Sequence, residues 1–106
     1  MSNVEQALDN LVEAIKESEQ YNNYSRYLEQ VKKEPGLKAE IDEYRLRNFE
    51  LQNSADYDFS KMEEFEKEYE DFRENALVSD FLSAELDFCR MLQQISDRIV
   101  EEVHFE

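Results

Sequence analysis

The sequence predicts an all-α protein, a small bundle of four to five helices that ends in a long C-terminal helix. One observation is the scarcity of turn residues, because the 106 residues include a single glycine and a single proline, whereas sheets and long loops need such residues at many points. Another is that apolar side chains recur every three to four residues along most of the chain, which is the period of an amphipathic helix. Residues 1–106 are therefore expected to form a single helical domain.

The first predicted helix begins at Ser2 or Asn3, because either side chain can cap exposed backbone N–H groups. It ends between Glu17 and Asn23. Its apolar stripe consists of Val4, Leu8, Leu11, Val12 and Ile15. The pattern leaves open whether this helix and the next are separate or form one bent rod.

The second and third helices are predicted on either side of a single proline. The second ends at Glu34, because Pro35 disfavours helical geometry in the residue before it. The third runs from Pro35, which is acceptable in a first helical turn, to about Ala55. Their apolar stripes are Tyr21, Tyr24, Leu28 and Val31, then Leu37, Ile41, Tyr44 and Leu51. Leu46 and Phe49 lie outside the third stripe and form a candidate contact patch for a partner.

A polar segment without helical period separates the third helix from the fourth. This segment, residues 53–60, is predicted to be a loop. Ser60 and Glu63 have the S-x-x-E spacing of a capping box and predict the start of the fourth helix. Its apolar stripe is Met62, Phe65, Tyr69 and Phe72. Because this stripe covers only roughly 80° of the helix at about 100° per residue, one side is expected to pack and the other to face water.

The final helix, from Leu77 to Val103, is the main basis for the functional prediction. Its apolar side chains spread over roughly 220° of the helix, about twice the arc that a lone surface helix needs. This width predicts contact with several neighbours, including another protein chain, and hence a homo-oligomer, a dimer or higher. The candidate partner-binding residues are Leu46, Phe49, Phe81, Phe88, Leu92, Ile95 and Ile99.

One carboxylate interrupts the apolar arc of the final helix. Glu85 lies near the middle of the arc, where an unpaired charge is costly, so it should have a partner. Asn48 falls within the stripe of the third helix, with Arg45 and Arg47 beside it. We hypothesise a polar cluster of Glu85 with Asn48 and one of these arginines, which would set how the two helices cross. The alternative is that the last helix bends and releases Glu85 to solvent.

The sequence predicts no catalytic, cofactor-binding or metal-binding site, and no enzymatic activity. Cys89, the only cysteine, lies in the apolar line of the final helix and is expected to pack in the core as a small hydrophobe. Glu101 and His104 have the E-x-x-H spacing found in di-iron bundles, but such a site needs two of these motifs and two further glutamates. A chance spacing is therefore preferred over a metal-dependent enzyme built from paired chains.

The strong negative charge argues against direct binding of nucleic acid. With 27 acidic and 12 basic residues the formal charge is −15, and this field repels phosphate groups. An alternative function is that of an acidic nucleic-acid mimic that sequesters a basic partner. The chain shows neither a signal-peptide pattern at its beginning nor a membrane span, and we expect it in the cytoplasm.

The third and last helices carry a resemblance to a known family. The stretch 37–52, LKAEIDEYRLRNFELQ, followed by Tyr69, Phe72, Arg73, Leu77, Val78, Phe81, Leu82, Ala84 and Glu85, resembles the YlbF/YmcA family of bacterial regulators. The resemblance implies a small helical protein that self-associates, or that joins paralogous regulators and a third protein. In the best-known members this complex influences an endoribonuclease that processes messenger RNA, and through it competence, sporulation and biofilm formation.

The resemblance also bears on cofactors. Some relatives are associated with iron–sulfur clusters held by cysteines, including cysteines near the C-terminus. Those cysteines do not occur in this sequence, and Cys89 lies in the middle of a helix. Cluster binding is therefore not expected of this chain, and no cofactor is predicted.

Overall fold

The computed structural model describes residues 2–55 and 58–104, which form six helices and no strand. The helices are α1 (Asn3–Lys16), α2 (Glu19–Lys33), α3 (Leu37–Gln52), α4 (Phe59–Glu68), α5 (Glu70–Glu74) and α6 (Ala76–Glu102). The predicted all-α fold with a long C-terminal helix is confirmed. The described residues form more helices than the predicted four to five, because the expected fourth helix divides at Tyr69, whose backbone (φ −102°, ψ 13°) leaves the helical region.

Serine side chains define both ends of α1. Ser2 caps α1 as predicted, since its side chain accepts a hydrogen bond from the Glu5 backbone N–H at 3.1 Å. Ser18 has an extended backbone (φ −71°, ψ 153°) and accepts from the Tyr21 N–H at 3.1 Å, while its hydroxyl donates to the Ile15 carbonyl at 2.6 Å. Ser18 thus closes α1 and opens α2, so these are two separate helices.

Two predicted helix starts are corrected by the structure. Gly36 has a left-handed backbone (φ 76°), so α3 begins after it and Pro35 precedes the helix. The helix α4 begins one residue before Ser60, because Asp58 is the cap and accepts from the Lys61 N–H at 2.9 Å. The capping-box prediction is therefore wrong, and the Ser60 hydroxyl donates to Asp58 instead. Of the predicted loop, residues 56 and 57 lie outside the described part of the chain.

The core lies between α2, α3 and the first half of α6. Its four fully buried side chains are Val31, Ile41, Val78 and Phe81. Tyr21 contacts Phe88, while Tyr24, one turn later, stacks on both Phe88 and Phe81. Later residues of α2 therefore meet earlier residues of α6, and the two helices are antiparallel. The start of α6 agrees with this packing, since Asn75 caps it and accepts from the N–H groups of Leu77 and Val78.

Aromatic side chains hold α4 and α5 against α3. The ring of Tyr44 lies 5.5 Å from Phe65, 5.1 Å from Tyr69 and 5.5 Å from Phe72, measured between centroids. Three members of the predicted stripe of the fourth helix therefore pack on one side. The outer side of α4 carries exposed glutamates and lysines, as the narrow stripe predicts.

Candidate protein-interaction surface

One end of the molecule is an arm made of α1 and residues 88–103. No residue of α1 is buried, and the buried residues of α6 are Val78, Phe81 and Ala84, all in its first half. The radius of gyration is 18.0 Å, whereas a compact domain of this length has about 13 Å. The chain is therefore elongated, and the arm lies beyond the core.

The arm exposes apolar side chains on both of its helices. On α1, Val4 is 77% exposed and Leu8 is 55% exposed. On α6, Ile99 is 52% exposed and Val103 is 66% exposed. An isolated helix as short as α1 is marginal in water, and α1 has few contacts with the rest of the chain to stabilise it.

A groove runs between the two helices of the arm. It has a volume of about 460 Å³ and is lined by Leu11, Ile95, Arg98, Ile99, Glu102 and Val103. Leu11 lines the groove from α1 and the other five residues line it from α6 and its end, and backbone contact between α1 and α6 is sparse. A third element could bury this apolar lining.

The structure distributes the predicted partner-binding residues over three environments. Leu92 and Ile99 are exposed on the arm, and Ile95 is half-buried in its groove. Leu46 and Phe49 are exposed on α3, where Phe49 is 64% accessible. The role of these side chains in binding stays a prediction.

The other two predicted residues pack within the chain. Phe81 is fully buried in the core, so its assignment to a partner surface is wrong. It faces Tyr24, with ring centroids 5.7 Å apart. Phe88 is half-buried because Tyr21 and Tyr24 cover it, at 5.6 and 5.4 Å between centroids. The great width of the apolar arc on α6 is thus partly explained by contacts inside the chain.

The structure brings Glu85 to one of the candidate arginines. Arg45 Nη2 lies 2.7 Å from Glu85 Oε2, and the Glu85 side chain is 24% exposed. The contact is an ion pair without the alignment of a hydrogen bond, and Arg45 also lies over the Phe81 ring at 5.6 Å from its centroid. The pair links α3 to α6 where the two helices meet, and Glu85 is not released to solvent.

The other candidate arginine and Asn48 have different partners. Arg47 donates to both carboxylate oxygens of Glu68, at 2.7 and 2.9 Å, and to the Tyr69 hydroxyl at 2.8 Å. These hydrogen bonds lower the pKa of Glu68 and raise the pKa of Arg47. Asn48 accepts from Gln52 on the same helix at 3.3 Å. Of the hypothesised cluster, Arg45 is therefore the arginine that meets Glu85, whereas Asn48 forms its hydrogen bond within α3.

Comparison with known proteins places this helical arrangement in a family. Residues 4–104 match the family described as "Control of competence regulator ComK, YlbF/YmcA". The chain belongs to the YlbF/YmcA family. A curated relative, a UPF0342 protein of Caldicellulosiruptor bescii, is 24% identical over 110 residues, which cover 100% of this chain and 92% of the relative. No solved structure matches the chain significantly. The family description gives the protein a regulatory role.

The described part of this YlbF/YmcA family member contains no group of three His, Cys, Asp or Glu side chains placed to hold a metal ion. Glu101 and His104 lie at the exposed end of α6.

Cys89 is exposed, so the prediction that it packs in the core is wrong. It lies beyond Ala84, the last buried residue of α6, where neighbouring helices no longer cover that side. Within the described ranges, no helix combines the length and apolar character needed to cross a bilayer.

The apolar side chains of α1 are the part of the YlbF/YmcA surface that sequence reasoning missed. Val4, Leu8 and Val12 are exposed, although the sequence placed them in a stripe of the same kind as the core stripes. No signal in the sequence indicated this exposure, because the break between α1 and α2 at Ser18 is seen only in the structure. An amphipathic pattern indicates that a face needs cover, but it does not tell which chain supplies the cover.

Proposed function

We propose that this protein is a non-enzymatic regulatory adaptor that acts in the cytoplasm by binding other protein chains through its arm. The observation that supports it most directly is that the arm carries seven of the eleven large apolar side chains that are exposed in the described part of the chain, and such clustering marks interaction surfaces. By family likeness, its partners are copies of itself, paralogous regulators and an endoribonuclease that processes messenger RNA. Competence, sporulation and biofilm formation are then the programmes that it influences.

The proposal makes the arm necessary for regulation. In the native cell, deleting the gene should change the 5′ ends of transcripts processed by the endoribonuclease, and the wild-type gene should restore them. A Leu92→Glu variant should fail to restore them, because a carboxylate at this exposed arm position would be buried unpaired in the complex.

A matched control lies outside the arm. Phe59, on α4, is 72% exposed, and Phe59→Glu adds the same charge without touching the arm. It should restore transcript processing fully. Unchanged processing in the deletion strain, or full restoration by Leu92→Glu, would contradict the proposal.

The acidic-mimic alternative predicts a different response to salt. The formal charge of −15 would drive capture of a basic partner, and added salt would weaken that complex by screening. An adaptor complex held by apolar contact persists at high salt. Sedimentation of the chain with its partner at low and high salt separates the two functions.

A further inference from the structure

We propose that the outer face of α3 binds a basic amphipathic helix of another protein. The outer face is a row of exposed side chains along α3 and its C-cap, formed by Ala39, Asp42, Leu46, Phe49 and Asn53. This inference rests on the proposed function in treating the chain as an adaptor. It deepens that function by stating the chemistry of one partner and a surface other than the arm that receives it.

The helix α3 carries apolar side chains on two nearly opposite sides. On the inner side, Ile41 is fully buried in the core and Tyr44 packs on α4 and α5. At about 100° per residue, Leu46 and Phe49 centre roughly 140° around the helix from that pair. They are 56% and 64% exposed. The helix therefore has a second apolar side that no described part of the chain covers.

The outer face has the spacing of a contact between two helices. Its positions follow each other at intervals of three, four, three and four residues, which is the a and d pattern by which one helix packs along another. The row covers roughly 80° of the helix and extends over about 22 Å of its length. A helix fits along such a row, whereas the two-residue period of an extended strand does not match it.

Charges on one edge of the outer face select a basic partner. Glu43 and Glu50 lie one heptad apart on this edge, at the e positions from which side chains form ion pairs with a partner helix. Neither carboxylate has a side-chain partner among residues 2–55 and 58–104. Lysine or arginine side chains of a bound helix would supply the missing partners.

The basic residues on the opposite edge are already engaged. Lys38 lies 2.6 Å from Asp42, and Arg45 lies 2.7 Å from Glu85. The charge that is free to pair beside the outer face is therefore negative. An acidic helix would meet only repulsion there, and a neutral helix would leave Glu43 and Glu50 unpaired at the rim.

A second copy of this chain is a poorer occupant of the outer face. Each copy carries a formal charge of −15, so two copies repel each other. The basic side chains that a second outer face could offer, Lys38 and Arg45, are held by the ion pairs within that copy. A basic helix is instead attracted throughout its approach, and its apolar side meets Leu46 and Phe49.

The outer face is separate from the arm. The helix α3 packs against α2 and α4, whereas the arm consists of α1 and residues 88–103. One protein can therefore occupy the arm while a basic helix occupies the outer face, which is the arrangement that an adaptor needs.

The probes for the first test are two synthetic helical peptides, each about three heptads long, with leucine at the a and d positions. One peptide has lysine at its e and g positions and the other has glutamate, so the two share an apolar side and differ in charge. Each is titrated into the isotope-labelled full chain, followed by NMR, and its affinity is measured by calorimetry. We expect the lysine peptide to bind with shift changes concentrated on residues 38–53, and the glutamate peptide to bind at least about tenfold more weakly. Equal affinities, or shift changes concentrated on residues 88–103, overturn the inference.

Two truncations and a matched control test the apolar part of the contact. Phe49→Ala should weaken binding of the lysine peptide about tenfold and Leu46→Ala about fivefold, because each removes apolar area that the peptide would cover. Leu86→Ala shortens a leucine of similar exposure, 49%, on α6, and should change the affinity less than about twofold. Far-ultraviolet circular dichroism verifies that the variants remain helical. Equal weakening by Leu46→Ala and Leu86→Ala overturns the assignment to α3.

A pair of double variants tests the charges. Glu43→Gln/Glu50→Gln should weaken the lysine peptide about fivefold at low salt and less at high salt, because salt already screens the lost ion pairs. Glu63→Gln/Glu70→Gln removes two exposed carboxylates of α4 and α5, so it makes the same change in net charge and should have less than about twofold effect. Equal weakening by the two double variants would show attraction to the overall charge and overturn the inference. Complete loss of binding at high salt would do the same, because the apolar contact should persist.

Sedimentation of the free chain tests a second copy as the occupant. Phe49→Ala should sediment as the wild type does, because the outer face binds another protein. Self-association that Phe49→Ala abolishes would assign the outer face to a second copy and overturn the inference.

The outcomes for this inference and for the proposed function are distinguishable. A lysine peptide that fails to bind α3, in a chain whose deletion changes transcript processing, overturns the inference and leaves the adaptor function standing. Binding at α3 as described, in a chain whose deletion leaves processing unchanged, overturns the adaptor function and leaves the binding surface standing.

Discussion

At the scale of single residues, the ion pair of Arg45 and Glu85 links α3 to the apolar seam of α6. The side chains of Arg45 and Glu85 are 37% and 24% exposed. Their environment is therefore intermediate between that of a solvated surface pair, which contributes about 0–1 kcal/mol to stability, and that of a fully buried pair. The main effect of the ion pair is to favour one arrangement of α3 against α6, because an arrangement that separates the two side chains leaves each charge unpaired in a partly dry environment.

We therefore predict that Arg45→Met destabilises the chain by about 1–2 kcal/mol. The double variant Arg45→Met/Glu85→Leu should recover most of this loss, because neither charge is then left unpaired. Urea denaturation of the single and double variants measures the coupling. Strictly additive losses would mean that the two side chains do not interact.

The Arg47–Glu68 contact predicts a dependence of stability on pH. Hydrogen bonds from Arg47 lower the pKa of Glu68 in the folded chain. The stabilisation that the Glu68 carboxylate gives the folded chain is therefore fully present above its pKa in the unfolded chain, about 4.3. It is lost as the pH falls through the lower pKa that Glu68 has in the folded chain. Glu68→Gln should lose less stability than the wild type on acidification, as measured by urea midpoints between about pH 6 and about pH 3.

A neighbouring carboxylate provides the control for this pH effect. Glu70→Gln removes an exposed glutamate of α5 that is not part of the Arg47 pair. Its pH dependence should follow the wild type more closely than that of Glu68→Gln. Identical profiles for the two variants would show that Arg47 does not set the acid response.

At the scale of elements, Ser18 determines how α1 and α2 are divided. Ser18→Ala removes the acceptor of the Tyr21 N–H and should cost about 1 kcal/mol of unfolding free energy. Ser18→Asp should retain most of the stability, because aspartate is also a good cap. Chemical denaturation compares the two variants, and equal losses for alanine and aspartate would contradict a capping role.

The elements also show where sequence reasoning succeeds and where it fails. The period of apolar residues located every long helix, because the helical repeat depends only on local geometry. The capping-box motif failed at Ser60, because Asp58, two residues earlier, is also a good cap and takes that place. Asp58 accepts the backbone N–H of Lys61, and this hydrogen bond lowers the pKa of its carboxyl.

At the scale of the whole molecule, the core and the arm should differ in protection from hydrogen exchange. In the free chain, amides of the first half of α6 should exchange slowly, because Val78, Phe81 and Ala84 are buried there. Amides of residues 90–102 should exchange faster. Equal protection of the two halves of α6 in the free chain would contradict this difference in packing.

The sequence alone determined the helical class, the long C-terminal helix, the family resemblance and the need of Glu85 for a partner. Each of these follows from local periodicity or from the cost of an unpaired charge in an apolar seam. Only the tertiary structure decided that Phe81 is core, that Cys89 is exposed and that Arg45, rather than Arg47 or Asn48, meets Glu85. The physical reason is that an amphipathic pattern states which face of a helix avoids water, whereas the path of the chain decides what covers that face, and on the arm it leaves the face bare.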